Sequence, residues 1–265
     1  MNITKKEGRK LLDCSFAKFG PLRFPVLTKT WVYTYPHQNT QHNHDFPQMW
    51  FCLDGMYDHK VEDKIYRLGK GSVVIIPPGI YHSIMVQPGD CAKVVQTNLM
   101  YDIFLNIPPE RYINTVTCMF LQPFAKELGY SQPLIFTPGK ETQNALEKYT
   151  SWFASLGFGI HGADTGAEIC DKLEEMFTLP EFALPEQYLE KAIQLAQSRL
   201  LPIVRVLRYM NQHYPEKIAE EDLVKEAAIC RANLYRWFKQ FTGYTCSNYL
   251  QWMRTKHVFI YLTYT

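Results

Sequence analysis

Apolar positions along this chain change their period twice, and each change marks a part of the protein. From about residue 26 to residue 136 the apolar runs are short, often alternating, and separated by glycine, proline and other turn residues. Residues 30–35 (TWVYTY) are rich in β-branched and aromatic side chains and predict a strand. Residues 46–53 predict another, and Asp54-Gly55 after it reads as a hairpin turn. Residues 60–67 alternate, Leu68-Gly69-Lys70-Gly71 turns, residues 72–76 form an apolar run stopped by Pro77-Pro78-Gly79, and residues 92–99 predict a further strand. Regular short strands with this punctuation argue for an antiparallel sandwich or barrel.

Beyond residue 137 the period becomes helical. Residues 141–156 place Leu146, Tyr149, Phe153 and Leu156 on one face. Residues 157–166 hold four glycines and His161 and read as a loop, followed by helices over 167–177 and 185–201. Residues 202–214 make a further helix with Ile203, Val206, Leu207 and Met210 inward, and Pro202 suits its first turn. An acidic opening, Glu220-Glu221-Asp222, starts a short helix, and a break at Ala228-Ile229-Cys230 leads into a second. There Leu234, Trp237, Phe238 and Phe241 fall at i, i+3, i+4 and i+7. Arg231, Asn233, Tyr235, Arg236 and Lys239 lie on the opposite face. Two helices around a short turn, the second cationic outside, describe a helix-turn-helix able to enter a DNA major groove. Thr242-Gly243 closes it, and Thr245 caps a last helix running towards Leu262.

The expected fold class is therefore α+β. An N-terminal arm (1–25) precedes an antiparallel β-barrel or sandwich (26–138), a helical connector expected to form a dimer seam (139–200) and an all-α helix-turn-helix domain (201–265). A chain of 265 residues, 46% hydrophobic and 20% charged, has the composition of an ordinary globular protein. Its net charge of +2 matters less than where the charge sits. Five cations (Arg231, Arg236, Lys239, Arg254, Lys256) and no carboxylate follow Ala227, the polarity expected of a face that meets phosphates. No apolar run reaches the length of a signal peptide core or a membrane span. The seven cysteines, an odd number without a C-x-x-C pair, fit a reducing cytoplasm.

Candidate chemistry in the barrel centres on histidine. His42-x-His44, Gln48 and Gly55 form one spacing; Gly71, Pro77-x-Gly79 and His82 form another. Together they resemble the two cupin motifs, a resemblance that implies a small jelly-roll β-barrel over residues 26–138, with Gln48 where metal-binding cupins carry glutamate and Val86 where many carry asparagine. His42, His44 and Gln48 share strand parity, so with His82 they could hold a divalent metal. Alternatively they are hydrogen-bonded, metal-free pocket residues around a small polar ligand such as a sugar. The missing carboxylate favours the second option. Trp50, Tyr33, Tyr66 and Tyr81 are candidates for stacking in such a pocket.

The C-terminal order, with LYRWFKQFTGYTCSNYLQWMRTKHV inside it, resembles the AraC/XylS family of bacterial transcription regulators. The matching marks are Leu223, Leu234, Arg236, Phe238, Lys239, Thr242, Gly243, Tyr249, Leu250 and Arg254. The resemblance implies a ligand-sensing barrel, a homodimer, promoter DNA as partner and no enzymatic activity; a metal-dependent cupin enzyme is the alternative. It implies that Ala232, Tyr235 and Arg236 face base edges while Arg231, Asn233 and Lys239 meet phosphates. Three departures stand out. Val224 and Ala228 occupy places where the family favours Ala and Gly, Cys230 replaces a capping Ser or Thr, and no second helix-turn-helix follows the last helix. That last departure leaves two expectations open: a shortened regulator that dimerises but binds DNA weakly, or a sequence that is part of a longer chain carrying the second unit.

Overall fold

The computed structural model describes residues 2–6, 9–14, 26–44, 46–77, 79–99, 134–156, 163–184 and 186–264. Its strands are β1 (Asn2–Lys6), β2 (Arg9–Cys14), β3 (Val26–Tyr33), β4 (His37–Gln38), β5 (His42–His44), β6 (Gln48–Val61), β7 (Lys64–Gly69), β8 (Val73–Ile76), β9 (His82–Val86), β10 (Ala92–Leu99) and β11 (Leu134–Phe136). They form two faces of a cupin-like barrel that share one long strand. The first half of β6 lies between β8 and β10, with β11 and β3 beyond them; its second half lies between β7 and β9. The antiparallel pairing expected from the alternation is present throughout the barrel proper. The arm, expected as an appendage, folds into the β1–β2 hairpin and adds β2 to β5 in parallel. Residues 15–25, part of the same expectation, lie outside the described residues, as do residues 157–162 of the glycine-rich loop.

Asp54-Gly55 is not the predicted turn. The chain runs straight through it as β6, and the hairpin closes eight residues later at Glu62-Asp63. Gly55 instead follows a bulge at Leu53, the residue skipped between the Cys52–Val94 and Asp54–Lys93 pairs. It takes φ +77°, the pairing with β10 shifts between Lys93 and Val94, and Met56 N donates to the Cys91 carbonyl at 2.8 Å. A bulge adds a residue on one strand and reverses which side chains face inward. Before it Gln48, Trp50 and Cys52 are buried; after it Tyr57, His59 and Val61 are. The same bend lets β6 leave one face of the barrel and enter the other.

β8, sequence VVII, is buried on both sides, which explains why it reads as an unbroken apolar run. Val74 and Ile76 join the barrel interior with Trp50, Tyr57 and Ile84. Val73 and Ile75, with Met49 and Phe51 of β6, face outward onto helices.

Those helices are α1 (Lys140–Ser155), α2 (Ala163–Phe177), α3 (Glu186–Leu195), α4 (Leu201–His213), α5 (Glu220–Ala227), α6 (Arg231–Thr242) and α7 (Cys246–Tyr264). A π-helical stretch, Ala196–Leu200, joins α3 to α4 without a break. Pro202 accounts for it: proline has no N–H to give the Ser198 carbonyl, and its ring crowds that carbonyl, so the preceding turn widens. Leu146 and Phe153 of α1, Ile169 and Leu173 of α2, Ile203 and Leu207 of α4 and Leu234 and Phe238 of α6 continue one core with the outer face of the barrel. A second contact closes the circuit, where Trp252 of α7 packs on Leu27 and Phe46 of the barrel. Among the described residues no helix is long and apolar enough to cross a membrane.

Candidate functional site

Four histidines meet inside the barrel. β9 lies between β5 and the second half of β6, so His42 stands directly opposite His82, and His82 opposite Val61. Ring centres of His42 and His82 are 4.6 Å apart, of His42 and His44 4.7 Å, and of His44 and His82 5.3 Å. The donor nitrogens of these three all lie within 4.8 Å of one another. His59, which strand parity counted from Gln48 would turn outward, joins them because the bulge at Leu53 turns it in. Its Nε2 is 3.0 Å from His82 Nδ1. No motif points to His59; only the unpaired run of β-forming residues past Gly55 hints that β6 continues.

Burial sets the charge of this cluster. It pushes the His59 imidazole down to about 3, with His42 adding a smaller repulsion. It holds His82 well below the ordinary histidine range, reinforced by the other three rings. His42, nearer the mouth, is lowered by burial despite its bond to a carbonyl. The His42, His59 and His82 rings are therefore neutral near pH 7, and the hydrogen bond of His42 fixes its tautomer. His42 Nδ1 lies 2.8 Å from the Thr40 carbonyl, so it carries the proton and leaves Nε2 with a bare lone pair.

Gln48 has a different part from the one its motif position suggests. Trp50 Nε1, which can only donate, bonds Gln48 Oε1 at 3.1 Å. The side-chain amide nitrogen is what remains, and nitrogen in an amide donates hydrogen bonds rather than binding cations. Trp50 links this group to the cluster, its ring 5.7 Å from His59 and 6.4 Å from His82. Gln48 Nε2, Tyr57 OH, His59 Nδ1 and His82 Nε2 are buried without a hydrogen-bond partner among the described residues. Orphaned buried groups cost about 1–3 kcal/mol each, so such a concentration marks a place for polar guests. As a metal centre, His42, His44 and His82 offer three neutral nitrogens and no carboxylate, a set that fits zinc or another borderline ion better than a hard one. Tyr33 is buried in the interior with Trp50, whereas Tyr66 packs only partly against it.

The helix-turn-helix is held by side chains reaching backbone carbonyls at helix ends. Arg205 Nε and Nη2 donate to the Glu226 and Ala227 carbonyls that end α5. Arg254 donates to the carbonyls of Tyr214 and Glu216 after α4, so this cation is engaged in the fold. Asp222 caps α5 by accepting the Ala219 N–H at 2.9 Å. Cys230 stands at the N-cap of α6 with no side-chain cap bond, as its sulfur predicts. Ala228 ends α5 in the left-handed region, φ +53°, a conformation that costs a residue with a Cβ about 1–2 kcal/mol. Ala228→Gly is accordingly expected to raise stability by about 1 kcal/mol and Tm by roughly 3 °C, read by thermal unfolding.

Along α6, Leu234, Phe238 and Phe241 are buried. Arg231, Ala232, Arg236 and Lys239 are exposed, while Asn233 is half-buried. Arg236 Nη2 donates to Asn233 Oδ1 at 2.7 Å. Tyr235 is also half-buried, and it and Arg231 turn to Glu220 of α5.

Residues 31–107 match the family model described as the AraC-like ligand binding domain. No curated protein sequence matches the chain. Among solved structures, a cupin 2 conserved barrel domain protein from Salinispora arenicola is 17% identical, with a TM-score of 0.28, over 29% of this chain and 66% of that one. The polyketide cyclase RemF from Streptomyces resistomycificus is also 17% identical at TM-score 0.28, over 29% of this chain and 55% of its own. This chain thus spans under two thirds of the length of both barrel proteins. Apo ToxT from Vibrio cholerae is 11% identical, with a TM-score of 0.38, over 88% of this chain and 99% of its own.

Proposed function

We propose that this chain is a DNA-binding transcription regulator whose AraC-like barrel senses a small polar molecule. The observation that carries it is the sharing of one apolar core by the barrel's outer face and a helix-turn-helix whose second helix keeps Ala232, Arg236 and Lys239 exposed. A sensor must be mechanically continuous with what it controls. Here the barrel reaches α6 through α1 and α4 and touches α7 at Trp252.

The effector would sit among His42, His44, Gln48, Trp50 and His82. The Gln48 amide supplies a donor, His42 Nε2 an acceptor, and Trp50 with Tyr33 apolar surface for a ring. That combination suits a hydroxyl-rich guest such as a sugar. A divalent ion held by His42, His44 and His82 would add a Lewis-acidic contact for a ligand oxygen.

On DNA, Arg236 would read a base edge while Lys239 and Asn233 hold the backbone. A homodimer would present two such helices to one site, with the outer face of α1 around Tyr149 and Trp152 as its seam. Arg236→Ala is expected to relax choice at one base pair by about 1–3 kcal/mol. Lys239→Ala should weaken all sequences alike and flatten the salt dependence by about one unit of slope. Selection of duplexes from a random pool, followed by salt titration, reads both. Identical sequence preference and slope in wild type and both variants would refute the assignment.

A further inference from the structure

Glu220 opens α5, and its carboxylate faces the second helix. Arg231 Nη2 donates to Glu220 Oε2 at 2.5 Å, and the guanidinium forms an ion pair with the carboxylate, its Nε against Oε1. The Tyr235 hydroxyl bonds the same group. Arg231 and Tyr235 are one turn apart on α6 and so share a face. Glu220 is only partly accessible, its side chain 29% exposed.

The placement has a physical reason. Arg231 is the first residue of α6, where the positive end of the helix dipole disfavours a cation. Glu220 is the first residue of α5, where the same dipole favours an anion. One carboxylate between two helix N-termini thus neutralises an arginine that would otherwise sit badly, and it fixes the angle between the helices. It also engages the Nε and Nη2 edge of that guanidinium, while the Arg231 side chain stays 69% exposed.

We propose that Glu220 is a latch that holds Arg231 and Tyr235 against α5 and so removes them from the DNA-facing set, leaving Arg236, Asn233 and Lys239 to make the contacts. The proposal rests on the DNA-binding function argued above and narrows it. Glu220 is a positioning residue here, acting through the two side chains it restrains. Releasing it would hand Arg231 to the phosphates, adding sequence-independent attraction and blurring discrimination.

The test uses the full chain and a random-sequence duplex. Glu220→Gln keeps the shape and an acceptor oxygen but loses the charge. It is expected to steepen the salt dependence of binding by about one unit of slope, so that affinity falls about threefold more between low and moderate salt. Adding Arg231→Met to Glu220→Gln should return the slope to that of wild type. In urea unfolding, the two single substitutions should be non-additive, since each removes the same pair. Additive midpoints, or an unchanged slope in Glu220→Gln when wild type binds, would overturn the latch alone. A wild-type protein that binds no duplex would overturn the DNA-binding function and the latch with it.

Discussion

Gly55→Ala is expected to destabilise the protein by at least about 4 kcal/mol and lower Tm by roughly 10 °C. Two costs add. The residue holds φ +77°, which a Cβ opposes by about 1–2 kcal/mol. The larger cost is contact: a Cβ there would lie 2.0 Å from the Cys91 carbonyl oxygen and 3.0 Å from the Ala92 Cα. Both are backbone atoms of the neighbouring strand, so no side chain can swing aside. Relief requires β6 and β10 to part at the bulge, where the Met56 N–H is bonded to that same carbonyl. Gly89→Ala is the matched control, with φ +90° and nothing within 4 Å of an added Cβ, and should cost only the conformational part. Thermal unfolding of both variants separates the terms. Equal losses would mean that the bulge yields easily and does not hold the two faces together.

That bulge, centred on Leu53, also marks where sequence legibility ends. Strand β10 and the run of β8 were readable because nearest neighbours and turn residues set them. The three motif histidines were readable because each motif lies on one side of the bulge. His59 was not, since inward parity assigned from Gln48 and Trp50 fails at Leu53, so that Asp54 is already turned outward. An Asp-Gly pair favours a hairpin locally, yet here the β10 backbone approaches too closely for any residue but glycine, and that partner is more than 30 positions away in sequence. Glu220 illustrates a different limit. The absence of acids after Ala227 suggested an uncompensated cationic face. A carboxylate eleven residues upstream of Arg231 folds back onto it across the turn, and Arg254 is drawn to carbonyls after α4. Charge counted along the chain misses charge paired across it. The helix-turn-helix itself was legible, because a 3.6-residue stripe, a left-handed Gly243 and the Thr245 cap, whose Oγ1 accepts the Asn248 N–H, are all local.

Acid should destabilise the protein through the buried histidines of the barrel. His59 and His82 stay neutral in the folded state because burial forbids the charge, whereas in the unfolded chain each titrates near 6.5. A group whose folded value lies below its unfolded value leaves stability intact above the unfolded value. As pH falls past 6.5 the unfolded chain takes up protons that the folded one refuses, and stability declines until the folded value is reached. Between pH 7.5 and pH 5.0 the loss is about 2 kcal/mol per histidine and about 4 kcal/mol for the two, with His42 adding in the same direction. Neither Tyr57 nor Cys52 contributes, because burial raises both further from this range. Urea unfolding followed by tryptophan emission at the two pH values reads the loss. His59→Gln should remove about half of it, since one titrating ring then remains in the pair. A midpoint that does not move between pH 7.5 and 5.0 would show that the folded barrel accepts protons on these rings. The pocket would then be wet and open to ions, and the neutral, lone-pair-bearing arrangement on which effector recognition depends would not hold.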